Sequence, residues 1–283
     1  IGGAAVTEEI TPGFKASTFS YLMSLLHPKI IRELGLQSRG LRVLPCSDMI
    51  SPLDNNDYIL FSDDIRKTQT SFSRFSKNDA EIYPKFDKYL NEAAIIMRQL
   101  LWETPPDPSR RDWKTFKSLA SIAWKYRKIG RKFYRLIDIV TMSAYDFLNE
   151  WFEDERVMAV LAYYASIGTF TGPKEPGSAF VILHHIMGEH EGAGGWGFIE
   201  GGMGKISDSI ADYAKSKGVE ILTGAEIAEI GIKNGAATDV ITTDGRSFEA
   251  PIIVSNASAK NLYLNMLDEK HVPDEVLREI KAF

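Results

Sequence analysis

The sequence predicts an α/β chain, α+β overall, with a long helical insertion, and three features of its texture predict it. Apolar residues recur at threes and fours through the middle of the chain, glycine and proline crowd the stretch after Gly168, and short β-rich runs follow Gly218. The 283 residues, 44% hydrophobic and 25% charged, suffice for one large or two moderate cores.

Taken in order, Ser17 to Leu36 carries Leu22, Leu25, Leu26, Ile30 and Leu34 at helical spacing, with Pro28 breaking or restarting the helix. The zone from about 63 to 166 reads as helical. Ile82, Phe86, Tyr89, Leu90, Ala93, Ile96, Met97 and Leu100 form one apolar stripe, which Pro105, Pro106 and Pro108 bring to an end. A second helical block covers Asp112 to Tyr126, and more follow up to about Ser166. Beyond the glycine-rich stretch, Ile206, Ile210 and Ala214 mark a helix that stops before Gly218. The runs "VEILTG", "EIAEIGI", "DVITTDG" and "RSFEAPIIVSNAS" then read as strands, and Asp244-Gly245 as a hairpin turn.

Composition excludes several functions. A net charge of −5 argues against a dedicated nucleic-acid binder. Cys46 is the single cysteine, so neither an internal disulfide nor a thiolate metal cluster can form, and a reducing compartment fits. No run of about 18 apolar residues occurs, and the longest apolar stretch, Ala179 to Met187, is broken by His184 and His185.

Some residues carry chemistry on two readings. Gly2 and Gly3 form either an ordinary tight turn or a backbone that lets a ligand approach closely. Ser17, Thr18 and Ser20 suit a helix N-cap. Gly201, Gly202 and Gly204 open a helix whose N-terminal amides either meet an anion or belong to a purely structural turn. His184 and His185, with Glu189, His190 and Glu191, form the densest titratable cluster: a general base or substrate-positioning pair, or histidines set beside the core. A metal is not expected, because adjacent histidines on a strand point to opposite sides and zinc-like spacing is missing.

Between residues 113 and 136 the sequence interleaves Lys114, Lys117, Lys125, Arg127, Lys128, Arg131, Lys132 and Arg135 with Trp113, Phe116, Leu119, Ile122, Trp124, Ile129, Phe133 and Leu136. No acid falls between Lys114 and Arg135. Such a segment is a solvated helix face or a peripheral membrane contact.

Four blocks in order, "IGGAAVTEEITPGFKASTFSYLMSLLHPKI", "PGSAFVILHHIMGE", "GGWGFIEGGMGKISDSIADYAKSKGVEILTGAEIAEI" and "APIIVSNASAKNLYLNML", resemble the phytoene-dehydrogenase-like flavoproteins of the amine-oxidase superfamily. Within these they are most similar to the branch of pyridine nucleotide-disulphide oxidoreductase domain-containing proteins. The resemblance implies FAD and a partial Rossmann-like FAD-binding domain at 1–45 and 191–265. It also implies a mainly helical substrate or lid domain at 46–190, with a return to that domain at 266–283.

It places Gly2 and Gly3 at the glycine pair that follows the ribose-binding acid, and Ser17, Thr18 and Ser20 near the isoalloxazine. Gly201 and Gly202 fall on the second flavin-domain helix, and the main chain of Ile227 falls against the adenine. The GxGxxG turn is expected before Ile1 and the second flavin motif after Phe283, so the piece alone is expected to be inactive. The segment "GAGGWGFIEGGMG" does not supply that turn, since no strand is expected to lead into it.

The implied activity is hydride transfer from a hydrophobic substrate to flavin N5, of dehydrogenase, desaturase or amine-oxidase type, with the helical insertion roofing the substrate. His184 and His185 fall in the substrate-facing region. Expected partners are a small hydrophobic molecule, a membrane surface through 113–136 and a second copy of the chain, and no nucleic acid. Bacterial cytoplasm and mitochondrial matrix both fit. The alternative is a non-catalytic binder of lipid or prenylated protein, like a GDP-dissociation inhibitor.

Overall fold

The computed structural model describes residues 1–46, 48–105, 107, 112–127, 129–188 and 196–282. They form two compact units, Ile1–Lys217 and Gly218–Phe283.

The first unit begins with an antiparallel hairpin, β1 (Thr7–Thr11) and β2 (Phe14–Ser17), in which Thr7 faces Ser17. Helix α1 covers only Pro28–Glu33, so the longer helix expected over Ser17 to Leu36 does not form. Pro28 sits at the start, where its missing N–H costs nothing, and His27 caps the helix by accepting from the Lys29 amide at 3.0 Å. Upstream, Ser17 ends a strand, and Met23 pairs instead with Gly197. Two further ladders are antiparallel: β3 (Val43–Pro45) with β6 (Gly197–Ile199), and β4 (Asp48–Pro52) with β5 (Tyr58–Ser62).

The helical zone is present as expected. It comprises α2 (Ile65–Phe72), α3 (Lys77–Leu100), α4 (Trp113–Tyr126), α5 (Arg131–Thr141), α6 (Ala144–Asn149) and α7 (Glu155–Tyr163), followed by α8 (Ser178–Ile186). Phe86, Leu90, Ala93 and Ala94 line the inner face of α3 and meet Leu136, Ile139, Phe147, Leu148, Val157, Leu161, Ile182 and Leu183 in the main core. Phe86 sets its edge against Phe152 at 4.9 Å and Trp151 at 5.5 Å. Each fully buried phenylalanine contributes roughly 2–3 kcal/mol through the apolar area withdrawn from water.

A second, smaller core joins the two ends of this unit. Met23, Leu36 and Leu41 pack with Ile199, Met203 and Ile206. The last two belong to the segment entering α9 (Gly204–Ser216), on which Ile210 also faces inward.

The second unit is an antiparallel meander, β7 (Ile227–Lys233), β8 (Ala236–Thr242) and β9 (Ser247–Glu249), followed by α10 (Ala259–Asn261) and α11 (Asp274–Ala282). The Asp244-Gly245 hairpin forms where expected, with the Gly245 amide bonded to Thr242 O at 2.9 Å. A second hairpin turns at Asn234-Gly235, both in the left-handed region.

One expected strand is missing and another is cut short. "VEILTG" has no ladder partner among the described residues, and Val219 and Leu222 stay exposed. "RSFEAPIIVSNAS" pairs only at Ser247–Glu249, because Pro251 removes a donor and Ile252 and Val254 face solvent.

One buried acid knits the helical body. Asp79, fully enclosed near the start of α3, accepts the amides of Glu153 and Asp154 at 2.9 and 3.0 Å, just ahead of α7. Its own amide donates to Ser76 Oγ at 3.1 Å. Asp79→Ala should lose about 3 kcal/mol by leaving two amide donors unsatisfied, and Asp79→Asn, which keeps one acceptor, about half as much. Urea unfolding midpoints at constant slope measure both; an unchanged midpoint for the alanine variant refutes the assignment.

Candidate functional site

The site is built around the N-terminus of α9. A helix leaves its first amides without partners, and here side chains from the far end of the unit take them. Ser17 Oγ accepts the Met203 amide at 3.0 Å, and Thr7 Oγ1 accepts the Gly204 amide at 2.9 Å while its hydroxyl lies 3.3 Å from Gly201 O. Ser207 Oγ donates to Ala5 O at 2.8 Å. The turn before β1 closes with Ala5 N on Gly2 O at 2.9 Å, and Ser20 N reaches Ala4 O at 3.1 Å. Thr18 Oγ1 donates to Glu8 across the hairpin at 2.6 Å.

These contacts sort the glycines. A Cβ on Gly2 would collide with Ser207, and one on Gly202 with Thr7, so packing alone requires both. Gly3 and Gly201 differ. Each has a left-handed backbone (φ 54° and 86°), and a Cβ there would meet nothing within 4 Å. Both present open, unobstructed main chain, which suits the flat face or polar edge of a large cofactor.

Ser17 and the amides of Met203 and Gly204 are already engaged, so the helix N-terminus does not hold its amides free for an anion, as the sequence reading allowed. The residues that lead into the glycine segment, 189–191, lie outside the described ones. Strand β6 lies inside it, but it is short and antiparallel and does not make the parallel strand–turn–helix of a dinucleotide fold.

The segment that carries these glycines reaches a second cluster at its other end. Trp196 Nε1 donates to His185 O at 3.1 Å, and its ring centroid lies 5.4 Å from that of His185 and 5.6 Å from that of Tyr164. Trp196 O accepts the Cys46 amide at 2.9 Å. His184 and His185 fall in the last turn of helix α8, not on a strand, with their rings edge-on at 5.4 Å. The run of four to eight apolar residues before them suits either structure, and here the helical period wins.

Arg98 holds the end of α8, donating to the carbonyls of Ile186, Met187 and Gly188 at 3.2, 2.8 and 3.1 Å. His185 is half-buried, with Nε2 at 3.3 Å from Ile167 O. A carbonyl only accepts, so Nε2 carries the proton and Nδ1 is left as an acceptor. Burial pushes the His185 pKa down, and its neighbour His184 lowers it further, which favours a neutral ring. Burial also pushes the Tyr164 phenol up to about 12, with Cys46 and Tyr163 adding to the shift, so it stays a donor; its hydroxyl lies 3.5 Å from Met49 Sδ.

Glu189, His190 and Glu191 lie outside the described residues, as do Gly192, Gly194 and Gly195. Among the described residues no three His, Cys, Asp or Glu side chains gather as a metal-ligand set. Ile227 opens β7 in the second unit opposite Thr242, and the ladder slips between Ile227 and Glu229. A pocket of about 440 Å³ opens between α6, α7 and the turn at 172–175, lined by Leu148, Met158, Ala162 and Lys174 among others. It shares no lining residue with the His185–Trp196 cluster and lends nothing to the site.

Thr7, Ser207, Trp196, Tyr164 and Arg98 were not among the sequence candidates. Only Trp196 carried a local signal, as the single tryptophan in a glycine-rich stretch.

Comparison with known proteins identifies the family. The family described as flavin containing amine oxidoreductase matches residues 26–283. The chain is 32% identical over 297 aligned positions to pyridine nucleotide-disulfide oxidoreductase domain-containing protein 2 of Rattus norvegicus, covering 99% of this chain and 51% of that protein. It is 29% identical over 199 positions to hydroxyneurosporene desaturase of Cereibacter sphaeroides, covering 70% of this chain and 34% of that one. The chain thus spans about half the length, or less, of these curated relatives.

Among solved structures, a protein from Pyrococcus furiosus superposes with a TM-score of 0.58 at 17% identity, covering 100% of this chain and 57% of its own. A putrescine oxidase redesigned at its cofactor-binding site gives 0.59 at 12%, covering 99% and 55%. These two likenesses concern the fold. On the family match, which runs through most of its length, the chain belongs to the flavin containing amine oxidoreductases.

Proposed function

We propose that the protein is an FAD-dependent oxidoreductase that takes a hydride from a hydrophobic substrate, as a dehydrogenase, desaturase or amine oxidase does. The observation that carries this reading is the cap on α9, which consumes the hydroxyls of Thr7, Ser17 and Ser207 and leaves Gly3 and Gly201 open. The family's cofactor is FAD. When bound, it supplies the oxidant, accepting hydride at flavin N5.

On this reading the chain's own residues have separate tasks. Gly3 and Gly201 offer main chain to the cofactor. Gly2, Gly202 and Ser17 hold the turn that sets those two in place, and Thr18 and Ser20 brace the hairpin beside it. Ile227 would offer main chain to the adenine. His184 and His185, backed by Trp196 and tied down by Arg98, face the substrate, and Nδ1 of neutral His185 accepts a hydrogen bond or a proton from it.

Trp196 and Gly201 belong to one short segment, strand β6 and the turn that follows it, which links the proposed substrate and cofactor sides. A hydrophobic substrate is in keeping with desaturase relatives such as that of Cereibacter sphaeroides and with the aromatic surroundings of His185.

The full-length protein should purify with close to one flavin per chain. Gly3→Ala should weaken flavin binding at least about tenfold, while the apo protein loses only about 1 kcal/mol from strain at a positive φ. Flavin absorbance and quenching titrations read the first, denaturant unfolding the second. Unaltered flavin affinity removes Gly3 from the site. Colourless wild-type protein that ignores added FAD overturns the oxidoreductase in favour of a non-catalytic binder.

His185 also makes stability depend on pH. Its folded pKa lies below its ordinary 6.5, so the unfolded chain binds the proton more readily. Stability is therefore complete above 6.5 and is lost as pH falls through the lower folded value. Relative to His185→Gln, the wild type should lose stability between roughly pH 7 and 5. Parallel pH profiles for the two proteins would refute a neutral buried ring.

A further inference from the structure

We infer that α4 docks on an anionic lipid surface. Trp113, Phe116, Ala120 and Trp124 follow one another by three, four and four, so they share one face of the helix. That face points outward: Trp113 is 67% exposed, Phe116 59% and Trp124 69%. The half-buried positions are Thr115, Ser118, Ile122 and Tyr126, two of them small and polar, and no residue of α4 is buried. The amphipathicity is thus inverted. A helix stabilised by its own fold turns its aromatic stripe inward, whereas this one holds it in water.

Isolated exposed apolar residues are common, but these are arranged. Trp113 and Phe116 stack at 5.3 Å, Lys117 Nζ lies 5.8 Å from the Trp113 ring, and the Arg127 guanidinium lies 4.0 Å from the Trp124 ring. The two tryptophan–cation pairs stand about 16 Å apart along the axis, so a helix lying flat engages both at once.

Charge selects the occupant. Lys114, Lys117 and Lys125 lie within α4 and Arg127 caps it, while no acid occurs in the helix. Glu103 pairs with Lys125 and answers only that one. Burying the face against protein would strip water from cations that have no acid on this helix to pair with. A bilayer interface imposes no such cost: rings settle among the headgroups while the ammonium and guanidinium groups remain hydrated beside lipid phosphates. The docking surface is narrower than the segment 113–136 suggested by sequence, since Leu136 is buried in the main core.

The test is flotation of the flavin-loaded protein with vesicles of phosphatidylcholine alone and of equal parts phosphatidylcholine and phosphatidylglycerol. Flavin content is recorded in each fraction, so that loss of docking is distinguished from failure of the flavin reading. Binding is expected to the mixed vesicles only, to weaken with salt, and to shift tryptophan emission to the blue.

Lys117→Gln should weaken partitioning about fivefold, and Trp113→Ala with Trp124→Ala should abolish it. Circular dichroism checks that these surface variants stay folded. Equal binding to neutral vesicles, no binding, or full binding by the double variant overturns the inference. A mass that rises with protein concentration and reverts in the double variant would assign the face to a second copy. Tryptophans shielded from acrylamide in the lipid-free, full-length protein would assign it to another part of the same chain.

Discussion

The first unit depends on the capping of one helix by residues almost two hundred positions away. Thr7 and Ser17 take the amides of Gly204 and Met203, and Ser207 returns a hydrogen bond to Ala5. Each bond alone is worth only about 1 kcal/mol. Together with the small core of Met23, Leu36, Leu41, Ile199, Met203 and Ile206, they fix the amino-terminal hairpin against α9. The backbones come so close that a side chain on Gly2, Gly202 or Gly204 would strike Ser207 or Thr7. Their lack of a side chain is therefore first a condition of assembly, and only the glycines left over can be assigned to a ligand.

The same junction anchors the helical body. The chain leaves it at Cys46 and returns at Trp196, and these two residues share a hydrogen bond of 2.9 Å. Gly197 then pairs with both Met23 and Pro45. The return strand is thus held on one side by the amino-terminal segment and on the other by β3, and a Cβ on Gly197 would meet Val43. His185 sits where the body meets this strand, because Trp196 both sets its ring edge-on to the imidazole and bonds its carbonyl. Position, more than any unusual pKa, marks it as a candidate.

Periodicity made the helices legible. The stripe through Phe86 and Leu90 and the Asp244-Gly245 turn are local signals, and both appear in the structure. What failed was local pattern without a local cause. Leucines at helical spacing around Leu22 to Leu26 do not form a helix, because that stretch pairs through Met23 with a strand far along the chain. The histidine pair was set on a strand in arguing against a metal, whereas it lies in the last turn of a helix, whose period the apolar run before it fits as well. The capping hydroxyls were partly seen: Ser17 was singled out, but as a cap of its own segment or a flavin contact, and Thr7 and Ser207 not at all. No spacing rule connects residue 7 to residue 204; only the folded chain does.

Family membership narrows the chemistry without assigning it to residues. A glycine-rich stretch inside such a chain invites a cofactor at every glycine, yet this structure divides them by what a methyl group would meet. Gly2 and Gly202 are explained by Ser207 and Thr7, and Gly197 by Val43. Gly3 and Gly201 take left-handed positions in two tight turns, closed by Ala5 N on Gly2 O and by Gly202 N on Ile199 O, yet a Cβ at either would meet nothing within 4 Å. The turns account for their backbone; what sets them apart from Gly2, Gly197, Gly202 and Gly204 at the same junction is main chain that no neighbour covers, which is where a ligand can approach. That is why the functional reading rests on these two positions and not on the motif as a whole.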